Sequence, residues 1–171
     1  MKRNSVLVTA MMIFCCMSLC FSQSGFMKIG DIDGEASDRD HKDWIIVESV
    51  SLGMSQPQRA TGTTRRPGSV KLEDLVIHKK VDKSSPRLLE ACAKGQAFPK
   101  LELELVSANG QTYYKVTLNR VRISSVRTQT DCDPDCQVFE EVAINYTKIT
   151  WEYTDSAGNK TTRTYNAQEN N

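Results

Sequence analysis

Apolar residues in this chain recur at every second position, and in three segments that two-residue rhythm changes phase midway. Val70 and Leu72 give way to Leu75 and Ile77. Tyr114, Val116 and Leu118 give way to Val121 and Ile123, and Val142, Ile144 and Tyr146 give way to Ile149, Trp151 and Tyr153. Alternation of this kind belongs to strands with one buried face. A one-residue slip would turn the apolar set outward unless the backbone bulges or bends. A single slip is compatible with sequence noise. Three predict strands that turn corners around a closed or nearly closed barrel, which also protects sheet edges. Leu101, Leu103 and Leu105 alternate with Glu102 and Glu104, predicting a strand with one wet face. Trp44 to Leu52 adds another, apolar on both faces at its start through Ile45, Ile46 and Val47.

One segment reads as a helix. Ser85 can cap it, Pro86 fits its first turn, and Gly95 stands where a helix stops. Leu88, Leu89 and Cys92 then share a stripe able to pack on the barrel. From Gly53 to Gly68 the chain is polar, rich in turn residues and without apolar periodicity. A loop this long in a compact domain is either functional or disordered. Residues 155–171 read as a polar hairpin or tail with a Gly158-Asn159 turn.

The N-terminus bears on compartment. Lys2 and Arg3 precede an apolar run from Val6 to Phe21, followed at once by Ser22-Gln23-Ser24-Gly25. The run is short for a membrane span, which takes about 20 apolar residues. Small residues at Cys20 and Ser22 predict a signal peptide over residues 1–22; an uncleaved anchor is the alternative. Cleavage would leave 149 residues, enough for one domain, with 20 basic and 21 acidic side chains. A chain this close to neutral lacks the electrostatic footprint of a nucleic-acid binder, and His78-Lys79-Lys80 reads as a solvated strand end. Cys92, Cys132 and Cys136 remain. In an oxidising space Cys132 and Cys136 would pinch a small loop with a disulfide, the alternative being two free thiols. Cys92 reads as a buried helix-face thiol.

The residues assemble no catalytic set. His41 and His78 are the two histidines, and nothing in the sequence brings a nucleophile and an orienting group to either. Asp31-Ile-Asp-Gly-Glu35 has its glycine too early for a calcium loop, and zinc would lack ligands. Asn145-Tyr-Thr147 and Asn159-Lys-Thr161 match the glycosylation triplet, Asn145 awkwardly so inside a strand. No enzyme activity, cofactor or metal is expected.

Laid end to end, the segments resemble the Hcp (haemolysin-coregulated protein) family, the tube subunit of type VI secretion systems. The resemblance runs from about Phe26 to Thr154. It is carried by His41-Lys42-Asp43 with Ile45-Ile46-Val47-Glu48-Ser49 and Gly53-Met54-Ser55-Gln56, then by Leu75 to Pro86 running into Leu88 to Gly95. Tyr114 to Leu118 with Ser124-Ser125, and Asn145 to Ile149 with Glu152-Tyr153-Thr154, are similar too.

The resemblance implies a mainly β domain over residues 23–154, a small β-barrel of two packed antiparallel sheets with one flanking helix and a long extended loop. It further implies hexameric rings that stack into a tube inside a contractile sheath, capped by a spike and carrying effector proteins. Gly53, Met54, Ser55, Gln56, Arg59, Arg65 and Arg66 would lie at the subunit interface. Two features depart from the family: the leader, since tube subunits assemble in the cytoplasm and leave without one, and the Cys132–Cys136 insert. An exported, periplasmic or secreted ring subunit is the first expectation, with cytoplasmic assembly and later secretion if the leader is unused. The second is a monomeric exported binding module that kept the barrel and lost the tube.

Overall fold

The computed structural model describes residues 24–61, 64–67, 70–131 and 137–169. The expected leader and both cysteines of the 132–136 loop lie outside them. In chain order the strands are β1 (Ser24–Ile29), β2 (Ile45–Val47), β3 (Ser49–Ser51), β4 (Met54–Ser55), β5 (Gln58–Thr61), β6 (Thr64–Pro67), β7 (Lys71–Leu72) and β8 (Leu75–Lys80). Helix α1 (Ser85–Lys94) follows, then β9 (Ala97–Val106), β10 (Thr112–Asp131), β11 (Gln137–Asn145), β12 (Lys148–Thr154) and β13 (Lys160–Asn166).

Nine strands form one antiparallel sheet in the order β2-β1-β9-β10-β11-β8-β3, with β12 and β13 branching from β10. β10 is the axis. One edge pairs with β9 from Thr112 to Arg122. The other edge takes two successive partners, β12 over Tyr114–Asn119 and β11 over Arg122–Asp131. The sheet therefore forks at Tyr146–Thr147 into a β11-β8-β3 leaf and a β12-β13 leaf. Met27, Ile45, Ile77, Leu88, Leu118, Val142 and Ile149 bring both leaves and the helix into one core, each fully buried. Burying an aliphatic side chain of this size stabilises by roughly 1.5–3 kcal/mol.

The closed barrel expected from the phase slips is not formed. The ends of the sheet, β2 and β3, are successive parts of one short segment separated by Glu48. β2 pairs with β1 and β3 pairs with β8, so their ladders abut without overlapping and no ring of pairing results. The single strand expected over Trp44–Leu52 divides at this point. Its early apolar run also divides, with Ile45 and Val47 buried and Ile46 exposed.

The three slips have two causes. Those after Leu72 and Tyr146 mark chain passing from one strand to another, β7 to β8 and β11 to β12. The middle one is a bend within a strand. Leu118 and Val121 are both buried because Arg120 between them adopts φ 53°, the left-handed region. That is where β10 changes partner, and there the Asn119 carbonyl accepts the Thr147 amide at 3.2 Å.

Pro86 lies in the first turn of α1, while Ser84 holds the N-cap position without a side-chain cap. Gly95 ends the helix at φ 60°, and the Gly95 and Gln96 amides donate to the Cys92 and Ala91 carbonyls. The buried stripe is Leu88 and Ala91 with Cys92 partly covered; Leu89 is exposed, a correction to the expected stripe. After Asp155 a turn with Gly158 at φ 86° returns the chain as β13, hydrogen-bonded along β12.

Candidate assembly surface and buried polar nodes

Between Gly53 and Leu72 the described residues form an arm built on two short antiparallel ladders rather than an irregular loop. Met54 and Ser55 pair with Leu72 and Lys71, and Gln58–Thr61 pair with Thr64–Pro67. Neither two-stranded ladder joins the nine-stranded sheet. At the base the Glu73 amide donates to the Gly53 carbonyl at 3.1 Å. The Glu73 carboxylate fills the space where a Cβ on Gly53 would stand, 2.2 Å from that position. Within this range Leu72 packs on the main core, and the paired residues from Met54 to Pro67 show no apolar alternation. Met54, Ser55 and Gln56 are exposed. Arg59 lies directly opposite Arg66 in the register and Arg65 opposite Ala60. Like charges directly opposite one another disfavour pairing.

A second feature covers the outward face of β1 and β9. Residues 33–44 form a strap between two core anchors, Ile32 and Ile45. Its backbone bonds largely to itself, from Gly34 to Asp43, Ala36 to Trp44, Asp43 to Ala36 and Trp44 to His41, at 2.8–3.0 Å. Gly34 is required there, since a Cβ would fall 2.3 Å from the Trp44 carbonyl oxygen. The strap buries Phe26, Ala36 and Val106 with Trp44 in a small cluster separate from the main core. The face expected to be wet is thus partly covered.

His41 holds this strap. It is 4% exposed. Its Nδ1 lies 2.8 Å from Asp38 Oδ1 and its Nε2 3.0 Å from Glu104 Oε2. The ring stacks on Phe26 at 4.4 Å and meets Trp44 edge-on at 5.0 Å. An ionised carboxylate only accepts, so a ring nitrogen that bonds to one does so as the donor. Glu104 also accepts Thr112 Oγ1 at 2.9 Å and Lys115 Nζ at 2.8 Å. Burial pushes the Glu104 carboxyl up, but bonds from Lys115, His41 and Thr112 outweigh it and hold the group below the usual glutamate range. The bond from His41 likewise holds Asp38 below its usual range. Both ring nitrogens of His41 lie against carboxylates, and the imidazole clamps two elements together.

Lys79 corrects the expectation of a solvated strand end, being fully buried. Its Nζ lies 3.0 Å from Glu140 Oε2 and 2.8 Å from Asp82 Oδ1, and donates to the Lys80 carbonyl at 2.7 Å. Ser85 Oγ accepts from Lys79 Nζ at 3.0 Å and donates to Glu140 at 2.7 Å. A serine beside a lysine can be a catalytic pair. Here the lysine serves two carboxylates and Ser85 is 3% exposed, so the cluster ties α1 to β8 and β11. Strand parity carries the signal for it: Lys79 follows Leu75 and Ile77 on the inward face, and Glu140 precedes Val142 and Ile144. Among the described residues no group of three or more His, Cys, Asp or Glu side chains could hold a metal ion. Asp31 of the acidic loop pairs with Arg87 at 2.9 Å, and Glu35 accepts the Lys83 amide at 3.1 Å. No helix of the described residues is long and apolar enough to cross a membrane.

The family described as type VI secretion system effector, Hcp, matches residues 26–153, which hold the nine-stranded sheet up to β12, the arm, the strap and the helix. Protein hcp1 of Pseudomonas aeruginosa is 36% identical over 132 residues, 75% of this chain and 81% of the relative. The Major exported protein of the same organism is 29% identical over 150 residues, 80% of this chain and 87% of its own. Among solved structures, one described as a type six secretion system protein superposes with a TM-score of 0.80 at 25% identity, covering 88% of this chain and 99% of its own. Hcp1 from Salmonella typhimurium gives 0.75 at 27% identity, covering 87% and 97%.

Proposed function

Since the chain belongs to the Hcp family of type VI secretion proteins, we propose that it works by self-assembly, as a structural subunit of a hexameric ring. The observation that carries this reading is the arm. Met54–Ser55 with Lys71–Leu72, and Gln58–Thr61 with Thr64–Pro67, form two ladders that join no strand of the main sheet, and the family match runs through them. An element that contributes so little to its own fold has its use elsewhere. A ring needs a head-to-tail contact between two different patches, repeated by rotation until it closes. The arm supplies one patch, with Gly53, Met54, Ser55 and Gln56 at its base and Arg59, Arg65 and Arg66 along its ladder. Arginines placed opposite one another call for an anionic counterpart outside the arm.

Stacked rings would form a tube with a spike, a contractile sheath and effector proteins as partners. The name of one relative, Major exported protein, supports an exported product. The leader-like residues 1–22 favour a second reading, a monomeric binding module that reaches the periplasm or beyond by the general export route. Light scattering on residues 23–171 under non-reducing conditions separates the two. A mass of six chains supports the ring; a monomer at micromolar concentration overturns it and leaves the binding module.

A further inference from the structure

We propose that the strap over residues 33–44 is a separable cover, locked onto the outward face of the sheet by the negative charge on Glu104. The separability is visible in how the strap is held. Its apolar contacts form their own small cluster with Phe26, Ala36, Val106 and Trp44, apart from the main core. Its backbone bonds close on themselves, so they would survive if the whole strap lifted. Ile32 and Ile45 stay in the main core at either end, and Gly34 and Asp43, the latter at φ 61°, stand just inside them. The segment can therefore open as one unit while the strands beneath stay paired.

What fastens it is a short list of polar contacts. Lys83 reaches Glu35 with its amide and Asp43 with its ammonium at 3.3 Å, both at the exposed rim. The fastening set in from that rim is His41 to Glu104, with the imidazole buried and the carboxylate partly so. The charges facing it are Asp38, with Arg39 and Asp40 beyond, on the strap, Lys28 on β1 beside Trp44, Glu102 on β9 and Lys115 on β10. Glu104 meets three donors, His41, Thr112 and Lys115. A neutral group in its place loses the charge that draws these donors, and a carboxylic acid or amide must itself donate. The contact with His41 is the one whose loss frees a segment, since Thr112 and Lys115 belong to the sheet.

Hydrogen exchange on the full-length protein tests this at neutral pH. Glu104→Gln is expected to raise exchange across residues 34–44 at least tenfold, with β9 and β10 as protected as before. Glu102→Gln, which removes an equal charge from the same face without touching His41, is expected to leave the strap protected. Trp44 and Trp151 are the chain's two tryptophans, so a Trp151→Phe background makes Trp44 the reporter of the strap. On acidification its emission is expected to shift before the far-UV circular dichroism changes. Unaltered strap exchange in Glu104→Gln overturns the proposal. So does equal loosening by Glu102→Gln, or a Trp44 transition that coincides with global unfolding.

Discussion

Residue by residue, the informative positions are charged groups on inward-facing strand positions. Lys79 and Glu140 stand directly opposite one another in the β8–β11 register. Removing Glu140 leaves the buried Lys79 with Asp82 as its remaining counter-ion, so the cost is a fraction of the roughly 3–5 kcal/mol of an uncompensated buried charge, about 1–3 kcal/mol. Glu140→Leu is expected to lower stability by that order in urea unfolding, and the double variant with Lys79→Met to recover most of it. Recovery would show that the site needs volume and balance rather than charge as such. The face of β9 behaves differently with pH. Burial raises Glu102 and Glu104, and bonds from Lys100, Lys115, His41 and Thr112 more than reverse it, so both lie below their ordinary value of 4.5. A group depressed on folding stabilises fully above its unfolded value and ceases to as pH falls through the folded one. Urea midpoints are expected to drop below about pH 4.5, and less steeply in a Glu102→Gln/Glu104→Gln variant.

Among the elements, β10 does most to shape the molecule. Twenty residues long, it exceeds any one neighbour and so takes β12 and then β11 along the same edge. The change of partner coincides with the left-handed Arg120, exposed and bonded to Gln168. Glycine adopts that conformation without the steric cost of a Cβ. Arg120→Gly is expected to raise the melting temperature by a few degrees, corresponding to a gain below about 1 kcal/mol. Gly95 offers the opposite case. Nothing crowds the space where its Cβ would stand, so Gly95→Ala isolates the cost of φ 60°. Thermal denaturation is expected to show a loss of about 1 kcal/mol, with the fold unchanged.

At the scale of the whole molecule, the arm and the core are separate constructions. Replacing Gln56–Ser69 by a short turn is expected to preserve the melting temperature within a few degrees and to abolish assembly in light scattering. Loss of folding in that variant would mean that the arm belongs to the core after all. Alternation in the sequence was enough to identify β8, β9, β10, β11 and β12, because a half-buried strand must place apolar residues at every second position; β1 went unread, and β13 was read only as part of a polar hairpin or tail. Pro86 and Gly95 bracketed the helix for equally local reasons. The paired stretch from Met54 to Pro67 escaped that reading, since backbone pairing there carries no apolar rhythm. So did His41 and Lys79, whose partners Glu104 and Glu140 lie 63 and 61 residues further along the chain. Parity could place Lys79 on the inward face, but only the register could bring Glu140 opposite it. The same holds for the barrel. Phase slips reveal that the chain turns, whereas which edge each strand meets next, and hence whether the sheet closes, is decided by pairing between distant segments. Local sterics and burial are written in neighbouring residues; partners are chosen only when the chain has folded.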